Sequence, residues 1–77
     1  MRIFRSEYEH PTQASRVGLS VFETPQGFLA VEDRSGPSTV NSTLGVFASR
    51  DEALARVHGR AEELQRQRYH PIAATAA

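Results

Sequence analysis

The stretch "RVGLSVFETPQGFLAVED", residues 16–33, decides the fold of this 77-residue chain. Two runs rich in valine, leucine and phenylalanine flank Thr24-Pro25-Gln26-Gly27. That is the composition of two strands joined by a tight turn. Loop length sets the register, and register sets which side chains share a face. If Pro25-Gln26-Gly27 is a three-residue loop, it is a type I turn with Gly27 left-handed in a bulge. Thr24 then faces Phe28, Glu23 faces Leu29 and Val21 faces Val31. One face collects Val17, Leu19, Val21, Leu29 and Val31. A two-residue loop would instead set Val21 beside Ala30 and Leu19 beside Glu32, and Leu29 and Val31 would leave that face. Apolar matching favours the three-residue loop. Phe22, Phe28 and Ala30 would then share the second face with Ser20, Thr24 and Glu32.

Upstream, Met1 to Tyr8 holds Ile3, Phe4 and Tyr8 and can form a short strand; His10 to Ser15 reads as a loop around Pro11. Downstream, Arg34-Ser35-Gly36-Pro37-Ser38 has the chemistry of a turn. Val40, Leu44 and Val46 then alternate with Asn41, Thr43 and Gly45, the pattern of a third strand with one buried face. Phe47 points away from that row unless the strand bends near Gly45. Ser49-Arg50-Asp51-Glu52 is a capping box opening a helix of about twenty residues, roughly 30 Å long. Its apolar row is Leu54, Val57, Ala61 and Leu64, with Ala53 beside it. Gly59 costs about 1 kcal/mol there, for which close helix–sheet approach would compensate. The helix must stop by His70-Pro71, Tyr69 and Ile72 beside it can fold back on the sheet edge, and residues 73–77 read as a disordered tail.

The chain is thus expected to be one α+β domain over residues 1–72. A small antiparallel sheet of three or four strands packs on one long C-terminal helix. The core is expected to be Val17, Leu19, Val21, Leu29, Val31, Val40, Leu44, Leu54, Val57, Ala61 and Leu64. A chain this short buries only about 60% of its unfolded surface, which leaves little room for a deep active site beside its core. The absence of cysteine excludes disulfides and thiolate zinc sites. No apolar run approaches the ~20 residues that cross a bilayer, and no signal-peptide core opens the chain, so the expected location is cytoplasmic. The formal net charge is zero, which argues against indiscriminate polyanion binding and leaves little repulsion against self-association. The nine basic residues are all arginine, the better bidentate partner for phosphate or carboxylate, although codon usage is the plainer explanation.

Little here suggests catalysis. His10, His58 and His70 do not stand at metal-ligand spacing, and no nucleophile motif, phosphate loop or dinucleotide fingerprint occurs. The expectation is a non-enzymatic module without cofactor or metal. The helix arginines are largely explained by pairing along the helix: Glu52 with Arg56, Glu62 with Arg66 and Arg60 with Glu63. Two binding readings are open. In one, Phe22 and Phe28 stack unpaired bases of DNA or RNA while Arg16, Arg34, Arg56 and Arg60 contact phosphates. In the other, the Phe22/Phe28 face binds a protein partner or a second copy of the chain. The N-terminal segment, through Ile3 and Phe4, could also cover that face.

The hairpin and third strand lead into Phe47, the Ser49 cap, Glu52-Ala53 and, near the helix end, Arg68-Tyr69. This ordering resembles the WGR domain of poly(ADP-ribose) polymerases and of small bacterial proteins. The resemblance spans roughly residues 1–72 and concentrates in the last third. It implies a sheet leading into a long helix, and an association with nucleic acid. The Trp-Gly-Arg motif itself is missing: Asp33-Arg34-Ser35-Gly36-Pro37 stands in its place, and the chain has no tryptophan. No residue of that motif carries over.

Overall fold

The computed structural model describes residues 1–36 and 39–76. Strands β1 (Arg2–Glu9), β2 (Arg16–Thr24), β3 (Gly27–Ser35) and β4 (Val40–Phe47) follow one another, then helix α1 (Arg50–Arg66) and strand β5 (His70–Ala76). The sheet has five strands in the order β4-β3-β2-β1-β5, and every neighbouring pair is antiparallel. The first four strands form a meander. The helix then crosses one face and delivers β5 to the free side of β1.

The α+β class holds, but the expected sheet of three or four strands has five, and the 17-residue helix is not C-terminal. Residues 73–76, read from composition as part of a tail, continue β5 beside β1, with Glu7 opposite Ala73 and Phe4 opposite Ala76. An alanine-rich segment is a poor strand by propensity. Strand pairing uses the backbone, however, and β1 offers an unpaired edge. Pro37 and Ser38 of the expected turn, and Ala77 of the expected tail, lie outside the described residues.

The β2–β3 hairpin adopts the register that apolar matching disfavours. Thr24 pairs with Gly27, Val21 with Ala30 and Leu19 with Glu32, so the loop is Pro25-Gln26 alone. Thr24 braces the turn: its hydroxyl donates to the Gly27 carbonyl at 2.9 Å and accepts from the Gln26 amide at 3.3 Å. Gly27 has φ 136°, and a Cβ there would meet the Phe47 carbonyl oxygen at 2.5 Å. Both observations explain the glycine.

Val17, Leu19 and Val21 are fully buried beneath the helix, and Phe28, Ala30, Glu32 and Arg34 stand beside them on the same face. Leu29 and Val31, expected in the core, are half-buried on the opposite face, and Val40 is exposed. Ile3, Ser6, Tyr8 and Tyr69 join the buried set instead. Strand β4 bulges between the pairs Ala30–Gly45 and Val31–Thr43, which leaves Leu44 as the extra residue. The strand therefore does bend at Gly45 (φ 151°), and the Phe47 ring lies over that glycine, where a Cβ would meet it at 2.8 Å. Leu44, Phe28, Phe47 and Leu54 pack against the edge of the core.

The helix begins as its sequence dictates. The Ser49 hydroxyl accepts from the Glu52 amide at 3.2 Å and meets the Glu52 carboxylate at 3.1 Å. Ala53, Val57, Ala61 and Leu64 are its buried row. Gly59 is exposed with nothing within 4 Å of a hypothetical Cβ, so close packing does not account for it. The helix ends before His70-Pro71. Arg68 turns to φ 72°, its amide bonds the Gln65 carbonyl at 3.1 Å, and the Tyr69 amide reaches the Leu64 carbonyl at 3.0 Å. This is a Schellman cap with arginine where glycine is usual, locked by burial of Tyr69 and Leu64.

Candidate interaction surface

The two faces of the sheet hold their charges differently. On the helix face, Glu32 is only 8% exposed. Arg60 reaches across from α1 and grips it through two nitrogens, Nε at 2.5 Å and Nη2 at 3.3 Å. Arg34, two residues along β3, adds a contact at 3.4 Å, and Glu63 holds the far side of Arg60 at 3.0 Å. Burial pushes the Glu32 carboxyl pKa upward, but Arg60, and then Arg34, outweigh it, so the group lies below its ordinary range. The Arg60 guanidinium, hydrogen-bonded to Glu32, is raised. Arg34 also lies 6.0 Å from the centre of the Tyr69 ring, whose hydroxyl meets the Ser15 hydroxyl at 3.0 Å. This network explains the register. Leu19 can stand opposite Glu32 because Arg60, 28 residues away in sequence, supplies the counter-charge.

The opposite face carries no covering element among the described residues. Its alternation places Phe22, Leu29 and Val46 in one row across β2, β3 and β4, with Val31 next to them. Val46 is 57% exposed, and Phe22, Leu29 and Val31 are half-buried. Toward the other end of this face, Arg5 lies across the sheet. Its Nη1 bonds the Asp33 carboxylate at 2.8 Å and the Ser20 hydroxyl at 3.0 Å. The guanidinium rests on Gly18, where a Cβ would come within 2.4 Å of Nη2. The Asp33 hydrogen bond raises the Arg5 pKa above its ordinary value. Glu7 stands 3.8 Å from Arg5, and Glu9 stands 3.7 Å from Arg16.

The sequence-derived site residues do not come together. Arg16 and Phe22 are on the open face, whereas Phe28 and Arg34 are on the helix face. Phe28 is packed beside the core. Arg34 and Arg60 are engaged with Glu32, and Arg56 sits half-buried on α1. Of the three pairings expected along the helix, Arg60–Glu63 forms, while Arg56 and Arg66 have no carboxylate partner among the described residues. The sequence reading missed Arg5, Asp33, Leu29, Val31 and Val46. The available signal was the alternation itself, read in the two-residue-loop register.

Elsewhere, a shallow hollow of about 250 Å³ is lined by Glu9, His10, Gln13, Ser15, Arg16 and Ser35, among others. The His10 Nδ1 accepts from the Thr12 amide at 3.2 Å and Ser15 is engaged with Tyr69, so neither is poised to act on the other. His58 is exposed and meets Phe4 edge-on, with ring centres 6.0 Å apart. Among the described residues no group of three or more His, Asp or Glu side chains could hold a metal ion, and no helix is long and apolar enough to cross a membrane.

Comparison with protein-family models, with curated proteins and with solved structures finds no match. The residues that carry the WGR resemblance have local roles here. Phe47 covers Gly45, Ser49 and Glu52 cap the helix, and Arg68-Tyr69 terminate it.

Proposed function

We propose that the chain is a small, cytoplasmic, non-enzymatic binding module that acts through the open face of its sheet, and that protein rather than nucleic acid occupies that face. The row of Phe22, Leu29 and Val46 across three adjacent strands carries this reading. An apolar row left without a covering layer, with Val46 at its exposed end, favours an interaction surface. Two of the arginines on this face already have partners, Arg5 in Asp33 and Arg16 in Glu9, and Arg2, opposite Phe22, is the one without a carboxylate partner among the described residues. A phosphate-tracking groove needs uncommitted cations, and stacking of successive bases needs aromatics on one surface. Arg34 and Arg60 are spent on Glu32, and Phe28 lies on the other face from Phe22.

Nucleic acid, which the WGR resemblance implies, is the rival occupant, and a titration separates the two. Amide shifts should be followed by NMR as short single- and double-stranded DNA is added at low and then physiological salt. The expected result is no saturable change at Phe22, Leu29 or Val46. Saturable shifts there that vanish as salt rises would overturn the reading, because counterion release makes phosphate binding salt-dependent.

A further inference from the structure

We infer that the occupant of the open face is a second copy of this chain, docked face to face across a two-fold axis. The inference rests on the reading above and names its partner.

Charge makes the first argument. A two-fold axis sets a surface against itself, so any excess of one sign is opposed by the same sign. The open face carries Arg2, Arg5 and Arg16 against Glu7, Glu9 and Asp33 and so sums to zero. Arg5 and Arg16 are moreover neutralised within the face, by Asp33 at 2.8 Å, Glu7 at 3.8 Å and Glu9 at 3.7 Å. The whole chain also has a formal net charge of zero. A surface of this kind meets its own copy without repulsion, and it offers no net attraction to a strongly charged partner.

Shape makes the second. Two sheets pack face to face about 10 Å apart, which requires that nothing project far from either surface. Of the long side chains on this face, Arg2 and Arg16 are exposed, and the one that crosses the sheet lies flat. Arg5 is stretched over Gly18 from β1 to Asp33 on β3, in space that any larger residue at position 18 would fill. Beside it, the half-buried Phe22, Leu29 and Val31 and the more exposed Val46 form the apolar strip that two copies would share.

Area makes the third. Five strands about 4.8 Å apart and eight residues of about 3.4 Å rise give a footprint of roughly 650 Å² per copy. Standard stable interfaces bury about 800 Å² per partner. The face is therefore of the size that a stable dimer needs, at the lower end of the range.

The test is sedimentation equilibrium of the full chain from about 1 µM to 1 mM, for the wild type and for Val46→Asp and Leu29→Asp. The wild-type mass should climb from 8.5 kDa toward twice that value. Each variant should weaken association at least tenfold, with an unchanged circular dichroism spectrum showing that it folds. Val46 is the safer site because it is the more exposed. A wild type that stays at 8.5 kDa up to 1 mM overturns the inference. So does a dimer indifferent to Val46→Asp but broken by Ser42→Pro, which would place the contact on the β4 edge. If the mass stays constant and the DNA titration is also blank, only the second copy is lost. Saturable DNA shifts on the open face remove the protein reading itself.

Discussion

The two faces of one sheet solve the same problem in different ways. Each must place an arginine and a carboxylate on the sheet surface. On the helix face, Glu32 is buried and Arg60 is brought from a distant element to hold it, so the ion pair ties sheet to helix. On the open face, Arg5 and Asp33 belong to strands of the same sheet, and their bond joins β1 to β3 without involving any other layer. The first face is closed by its charges, whereas the second is merely neutralised and left available. Alternation along β3 therefore yields a core on one side and an uncovered face on the other.

The sharpest way to break this comparison is to delete matched leucines. Leu19 is fully buried under the helix, and Leu29 is half-buried on the open face. Leu19→Ala should cost about 3–4 kcal/mol in urea unfolding. Leu29→Ala should cost less, about 1–2 kcal/mol in dilute solution, because part of its surface already meets water. Equal losses would mean that the open face is covered within the monomer.

Removing the helix-face ion pair comes next. Glu32→Ala should cost about 2–3 kcal/mol, because it leaves half-buried Arg60 with Glu63 alone and Arg34 without a carboxylate. Glu32→Leu combined with Arg60→Met should recover most of that loss. The pair also sets a pH dependence. The Glu32 carboxyl is lowered in the folded state from an ordinary value of 4.5. Its contribution is therefore complete above pH 4.5 and is lost as pH falls through the lower folded-state value. Urea midpoints measured from pH 7 to pH 3 should drop on this acid limb, and Glu32→Gln should flatten it. A wild-type curve unchanged on that limb would show that Arg60 does not hold Glu32 in solution.

The smallest effects sharpen the description of the helix. Gly59→Ala should stabilise by about 1 kcal/mol, since a Cβ there touches nothing and helix propensity favours alanine. Arg68→Gly should stabilise by about 0.5 kcal/mol, by relieving the left-handed backbone at the cap. Thermal melts of the two variants and their double mutant should show additive gains, the sites being in separate turns.

What was legible in the sequence was local. Ser49 and Glu52 declare the cap within four residues, and the spacing of Val57, Ala61 and Leu64 declares the buried side of the helix. The strands of the hairpin were equally plain. Its register was not, because the fact that permits Leu19 beside Glu32 is a guanidinium on a helix that local pattern cannot dock. The candidate site suffered most from this, since one residue of slip exchanges every side chain between faces. Phe28 was thereby read onto the open surface and Leu29 into the core. The stop ahead of His70-Pro71 was legible, but the exact end was not, and the helix runs 17 residues rather than about twenty, because Arg68 takes a conformation that usually advertises itself as glycine. The return of the chain to the sheet edge was legible at Tyr69 and Ile72, but residues 73–76 were read as tail because their partner, not their composition, makes them strand.

That last strand has a kinetic consequence. Strands β1 to β4 join sequential neighbours through short connections, so they can zip together as hairpins in chain order. The β1–β5 seam is different, because Arg5 must find Thr75 across nearly the whole length of the chain. Loop closure of that size is slow relative to hairpin formation. During synthesis β1 emerges first and waits with one side unsatisfied until helix and final strand have followed. The β1 edge thus stays open until the final strand is made, and closing the β1–β5 seam is expected to be the last step of folding, which a β1–β5 contact probe slower than the hairpin signals in refolding would check.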